Sequence, residues 1–222
     1  SVVYVHTDGI NTNCDIDVDW LTKRLRLILE ATIPNVESNW ISLDKDVFRE
    51  GIWIQIGNYV LRNEDGSVTK HGSTFKASTR SKFYKSILNR LIDARLDNRV
   101  TNTFIDELYN FDDLPMETFI QRRTLNRKFE DYKSETDMMI PLVKQGIEVG
   151  IQPEIRTTYE YYKTKDGYRI KEIVNSKTDL DVSYYWNIVT KLLDKFGLAH
   201  YVKKKPPLTL LDRKQQSLMD WV

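Results

Sequence analysis

Apolar residues follow two spacings along the chain, and the dominant one changes near residue 72. Residues 2–12, VVYVHTDGINT, give a strand-like run, a polar knot of His6, Thr7, Asp8 and Gly9, and a second strand-like run, which is a hairpin pattern. Val18, Leu21, Leu25 and Ile28 then recur at helical spacing, with Asp17 or Asp19 placed to cap the start. WISLDKDVF (40–48) and GIWIQIGNYVL (51–61) are rich in β-branched and aromatic residues. Ile52, Ile54 and Ile56 alternate, so both runs predict strands. NEDG (63–66) predicts a turn and SVTKHG (67–72) a returning strand. Residues 1–72 are thus expected to be sheet with one covering helix.

Helical spacing dominates afterwards. In TRSKFYKSILNRLIDARL (79–96), Phe83, Ile87 and Leu91 form one stripe and Lys and Arg occupy the other face. Residues 99–145 are charged and expected to be mostly helical, interrupted at Pro115 and Pro141. EIRTTYEYYKTKDGYRIKEIV (154–174) predicts a hairpin turning at Asp166 and Gly167. In SYYWNIVTKLLDKFG (183–197), Tyr185, Ile188, Leu192 and Phe196 line one helix face, and Gly197 is a good C-terminal stop. The final stretch, from the basic, proline-containing VKKKPP onward, is expected to be poorly ordered. The fold class expected is α+β.

Charge changes this picture locally. The net charge is only +1, yet residues 70–95 carry Lys70, Lys76, Arg80, Lys82, Lys85, Arg90 and Arg95 against the single acid Asp93. Such a patch binds phosphates even on a nearly neutral molecule; a solvated helix face has the same composition. The lone cysteine, Cys14, excludes an internal disulfide and a zinc site built of cysteines. No apolar run reaches membrane-span length and no signal peptide pattern opens the sequence. A cytoplasmic protein with no membrane partner is the expectation.

An Asp-Gly between strands is commonly just a tight turn. Here VVYV, then His-Thr-Asp-Gly, then a returning strand resembles motif C of family B DNA polymerases, which usually reads Asp-Thr-Asp followed by Ser or Gly. The order of later elements is similar to that family too: a helix at 18–31, LDKDVF (43–48), IQIGNY (54–59) and NEDG. NRKFEDYK (126–133) resembles a thumb element, and YYWNIVTKLLDKFG (184–197) the last thumb helix. QQSLMDWV (215–222) resembles archaeal-type clamp-binding tails. The sequence departs from the pattern at His6, which replaces the first aspartate of motif C, and at Ile56, Gly57 and Asn58, which stand where the family has basic residues.

The resemblance implies the C-terminal half of a palm with motif C at 1–72, a mostly helical thumb with a β-hairpin at 73–203, and a flexible tail at 204–222. It implies a small subunit or fragment of a DNA-directed DNA polymerase that works by two-metal nucleotidyl transfer. Asp8 is then a catalytic metal ligand, with Asp44 and Asp46 as accessory acids beside two Mg²⁺ ions shared with a partner. Tyr59, Lys76, Arg80, Lys82, Arg127 and Tyr132 are then DNA contacts. Gln215, Leu218, Trp221 and Val222 then engage a sliding clamp. The implied partners are primer–template DNA, the clamp, and a large polymerase chain carrying exonuclease, motif A and fingers.

Other readings stay open on the residues alone. Asp8 reads equally as a turn residue, and Asp44 and Asp46 as solvent-facing acids on an edge strand. Trp53, Tyr185 and Trp186 read as core residues, and His71 and His200 as structural or surface residues. Two further function classes remain: a catalytically degenerate DNA-binding or clamp-tethering accessory subunit, and an unrelated α+β interaction module.

Overall fold

The stripe of Phe83, Ile87 and Leu91 is buried as its spacing predicts, and it organises the larger of two compact units in this computed structural model. Described are residues 2–6, 9–76, 80–134 and 136–203, with side chains from residue 12 onward. One unit comprises the described residues up to Glu50 together with Leu61–Thr69. The other comprises Gly51–Val60 and the described residues from Lys70.

In the first unit, β1 (Val2–His6) and β2 (Gly9–Thr12) pair antiparallel, with Val5 opposite Ile10 and His6 opposite Gly9. Helix α1 (Val18–Thr32) starts where Asp17 accepts a hydrogen bond from the Trp20 amide at 2.9 Å, so Asp17, not Asp19, is the cap. No residue of α1 is buried. Val18, Leu21 and Leu29 are half-buried, but Trp20 is 62% exposed, Leu27 59% and Ile28 51%, so much of the helix's apolar surface stays open.

The expected strand at 40–48 is not formed before Phe48. Asp44, Lys45 and Asp46 place three consecutive charges in residues of low strand propensity. The segment is instead tied to α1 from the side. Arg26 donates to the Ile41 carbonyl at 2.6 and 3.0 Å, Ser38 bonds Glu30, and Lys45 pairs with Asp15.

The run 51–61 is two strands rather than one. β3 (Phe48–Gln55) and β4 (Asn58–Asn63) are separated by Ile56 and Gly57, and β5 (Val68–His71) completes a sheet of order β3-β4-β5. Gly57 takes φ +69°, which turns the chain. Ile56, expected to share a face with Ile54, therefore sits on the turn, 91% exposed, whereas Ile54 is buried. Asn58 fixes the turn by donating to the Ile56 carbonyl at 3.2 Å and accepting from the Thr74 amide at 2.8 Å. The short helix α2 (Ser73–Lys76) follows.

In the second unit, α3 (Lys82–Leu96), α4 (Asn102–Leu108) and α6 (Val182–Lys195) share one core with Ile54 and Val60. Gly197 has φ +70°, the left-handed stop expected after α6. The region 99–145 is less helical than its composition suggests. It contains β6 (Gln121–Thr124), and Pro141 lies in the first turn of α5 (Met139–Glu148), where a proline costs no helical hydrogen bond. The hairpin β7 (Thr158–Thr164) and β8 (Gly167–Ile170) turns at Lys165 and Asp166, with Gly167 opening β8. β6 pairs antiparallel with β7, Gln121 opposite Tyr161, giving a sheet of order β6-β7-β8. Helix α5 packs on this sheet through Met139, Leu142 and Val143 against Tyr159, Tyr161 and Ile170.

Gly146 is required by that packing, since a Cβ there would lie 2.6 Å from the Tyr159 ring. The Tyr159 hydroxyl is buried with no hydrogen-bond partner among the described residues. Gly146→Ala should therefore destabilise the protein by ~1–3 kcal/mol through overpacking, despite alanine's better helix propensity. Tyr159→Phe should be neutral or stabilising, because it removes an unsatisfied buried group. Chemical denaturation of both variants checks the pair of signs.

Candidate nucleic-acid interface

Basic side chains of the second unit fall into two groups, and only one is free to meet a polyanion. Arg122 and Lys171 both bond Glu160, at 2.6 and 2.7 Å. Arg90 pairs with Glu107 at 2.9 Å, Arg169 with Asp166 at 3.2 Å, and Lys163 lies 3.7 Å from Asp181. Lys177 is spent on the carbonyls of Asp112 and Leu114. Hydrogen bonds from Lys171 and then Arg122 hold the Glu160 carboxyl below its usual range. These cations are internally compensated.

The sequence-derived candidates belong mostly to the other group. Arg80 and Lys82 are exposed on either side of Ser81, whose hydroxyl caps α3 by accepting from the Tyr84 amide at 3.1 Å. The first turn of α3 has no acid. Two cations at the positive end of a helix dipole are locally unfavourable, and a bound anion would relieve them. Arg80 also lies over the Tyr84 ring at 4.9 Å. Lys76 is exposed at the end of α2.

Arg127 lies over the Tyr132 ring at 4.2 Å, and the Tyr132 hydroxyl accepts from the Asn126 amide at 3.3 Å. The NRKFEDYK segment thus holds one guanidinium flat on an aromatic face, with the chain folded back to make the contact. Tyr59, on β4, stacks on His71 with ring centroids 4.8 Å apart. Tyr185 and Trp186 are core residues, as expected; Tyr185 packs among Phe83 and Phe119. His200 is exposed beside Tyr201.

The carboxylate candidates are placed less completely. Asp44 and Asp46 are exposed, on a segment that is not a strand, so the alternation expected to align them is absent. Asp8 lies outside the described residues, as do Gln215, Leu218, Trp221 and Val222. The described residues gather no cluster of three or more His, Cys, Asp or Glu side chains able to hold a metal ion. No helix among them is long and apolar enough to cross a membrane.

A groove not anticipated from the sequence runs along α6. Tyr184, Asn187, Ile188, Lys191, Leu192 and Lys195 recur at helical spacing on its wall, with Arg80, Ser81, Tyr84 and Gln121 opposite. The polar members of that stripe carry the signal, but the apolar stripe of the same helix dominates its periodicity.

No family model matches the chain, and no curated protein matches it. Among solved structures it is similar to a family B DNA polymerase from the hyperthermophilic archaeon Pyrobaculum calidifontis. The TM-score is 0.56 at 15% identity, over 92% of this chain and 26% of that one. The likeness is one of fold, and the α+β architecture is compatible with the C-terminal part of such an enzyme. The chain spans about a quarter of that polymerase's length.

Glu160 offers a test of the charge sorting. Its folded-state pKa lies below the ordinary 4.5, so its contribution to stability is complete above that value and is lost as pH falls through the folded value. Glu160→Gln should flatten the acid limb of a stability–pH curve and tighten polyanion binding by freeing Arg122 and Lys171. Melting curves from pH 3 to 7 and heparin affinity read the two effects separately.

Proposed function

We propose that this chain is the C-terminal part of a family B DNA-directed DNA polymerase, a palm segment with motif C followed by a thumb. The observation that carries the reading is the fold likeness across 92% of the chain. The uncompensated basic surface at Arg80, Lys82 and Lys76, together with Arg127 on its Tyr132 platform, fits a thumb that grips phosphates without reading bases.

Under this reading the chain acts with a large polymerase chain that carries motif A, fingers and exonuclease. The uncovered face of α1, with Trp20, Leu27 and Ile28, supports that need, because an amphipathic helix is held chiefly by what buries its apolar side. Two Mg²⁺ ions, shared with that chain, would supply the Lewis-acid chemistry of nucleotidyl transfer. From this chain Asp8 is the proposed ligand, with Asp44 and Asp46 as nearby acids. His6 brings no negative charge to the place where the family has an aspartate. Primer–template DNA is the substrate, and Gln215, Leu218, Trp221 and Val222 are proposed to dock on a sliding clamp.

The experiment is primer extension with Mg²⁺, using the chain alone and with the large polymerase chain. Extension is expected only from the pair. Asp8→Asn should remove most of it, by ~10²-fold or more if several kcal/mol of charge stabilisation is lost, while leaving the melting temperature unchanged. His6→Asp should be neutral or activating. Full activity of Asp8→Asn would return the motif to a simple turn.

A further inference from the structure

The groove along α6 has a recess of about 320 Å³, lined among the described residues by Arg80, Lys191 and Lys195 as cations and by no acid. Its residues come from three separate parts of the second unit: the start of α3, β6 and the length of α6. Asn187, Lys191 and Lys195 are exposed, so their charges and donors reach the opening. Lys195 is oriented by donating to the Gln55 side-chain oxygen at 3.0 Å.

The groove's lining adds a second observation. Gln121 accepts hydrogen bonds from the hydroxyls of Tyr184 at 3.1 Å and Tyr161 at 3.5 Å. Its Nε2 is buried without a partner among the described residues. Gln121 is one of the groove's lining residues, so this uncompensated amide donor lies in the same wall region as the three cations. A buried unsatisfied donor is costly by itself, and a bound anion reduces that cost electrostatically.

We propose that this groove binds the phosphodiester backbone of a single nucleic-acid strand, with Arg80, Lys191 and Lys195 neutralising its phosphates. The proposal rests on the nucleic-acid reading above and assigns Gln121, Asn187, Lys191 and Lys195, which the motifs do not. The polar stripe from Tyr184 to Lys195 runs about 16 Å at 1.5 Å per residue, long enough to follow a strand over several phosphates. A recess of about 320 Å³ is too small to take in a double helix. An acidic peptide fits less well, because side chains of an extended peptide alternate between two faces. A strand backbone brings a charge at every repeat.

The test is fluorescence anisotropy of an end-labelled oligothymidylate of ~20 nucleotides titrated with the full chain between about 50 and 200 mM salt. The wild type is compared with a Lys191→Ala, Lys195→Ala double variant and with a Lys23→Ala, Arg24→Ala control on α1. All four residues are exposed, so folding should be preserved, and a melting curve verifies it. The double variant should bind more weakly, with its log–log salt slope reduced by ~1.4, that is ~0.7 per lost single-strand contact. The control should match the wild type. An unchanged slope in the double variant, with the wild type binding, overturns the groove assignment and leaves the nucleic-acid reading standing. Absence of salt-dependent binding by the wild type overturns both. Displacement of the labelled strand by poly-glutamate as readily as by unlabelled oligothymidylate makes the groove a site for acidic peptides and also overturns it.

Discussion

The second unit depends on one aromatic contact set. Phe83 of α3 stacks on Phe119 at 5.2 Å, and both meet the edge of Tyr185 of α6, at 5.6 and 4.8 Å. Phe111 closes the group against Phe83 at 5.2 Å. All four side chains are buried. Aromatic edge-to-face pairs add ~0.5–1.5 kcal/mol each beyond the area they bury, and their geometry fixes rotation as well as distance. The Tyr185 hydroxyl donates to the Phe119 carbonyl at 3.4 Å and accepts from the Lys163 amide at 3.2 Å, which ties the β6-β7-β8 sheet to the same point. Burial pushes that phenol's pKa well up, so it stays neutral and keeps both bonds. With α3 and α6 locked this way, the face of α6 that flanks its buried stripe lies across from Arg80 and Tyr84. The basic groove is therefore a consequence of how the core packs.

Among the described residues, the first unit shows no comparable aromatic contact set. Its helix has a good cap and a strong apolar stripe, but Trp20, Leu27 and Ile28 are each more than half exposed. Apolar area of that kind, exposed together on one helix, is where a soluble fold meets another polypeptide. The link from sequence to local structure is complete in α1, and the link from local structure to packing is not. Under the proposed reading, a palm segment completed by a second chain would resolve that mismatch, and the same arrangement would supply the carboxylates that the described residues do not assemble.

Helices α3 and α6 were legible because their apolar positions fall three and four apart and α6 is followed by Gly197. The resemblance to polymerase motifs was legible through order rather than through any one residue. The strand alternation misled at Ile56, because Gly57 inserts a turn that a two-residue period cannot report. It misled again at Asp44 and Asp46, where side-chain anchoring to α1 replaces sheet pairing. β6 was hidden because Gln121, Arg122, Arg123 and Thr124 show no apolar alternation; its strand conformation comes from pairing with β7. The groove was hidden for a related reason. Lys191 and Lys195 look like any solvated helix face until packing brings Arg80 and Gln121 opposite them.

If the first unit is, as proposed, a palm segment completed by another chain, α1 reports on that completion directly. Hydrogen–deuterium exchange across Val18–Thr32 should be measured in the protein alone and with a large polymerase chain carrying motif A and fingers. The α1 amides should exchange far faster than those of α3 in the protein alone, and become strongly protected in the complex. Protection of α1 equal to that of α3 in the isolated protein, unchanged by the large chain, would contradict that reading.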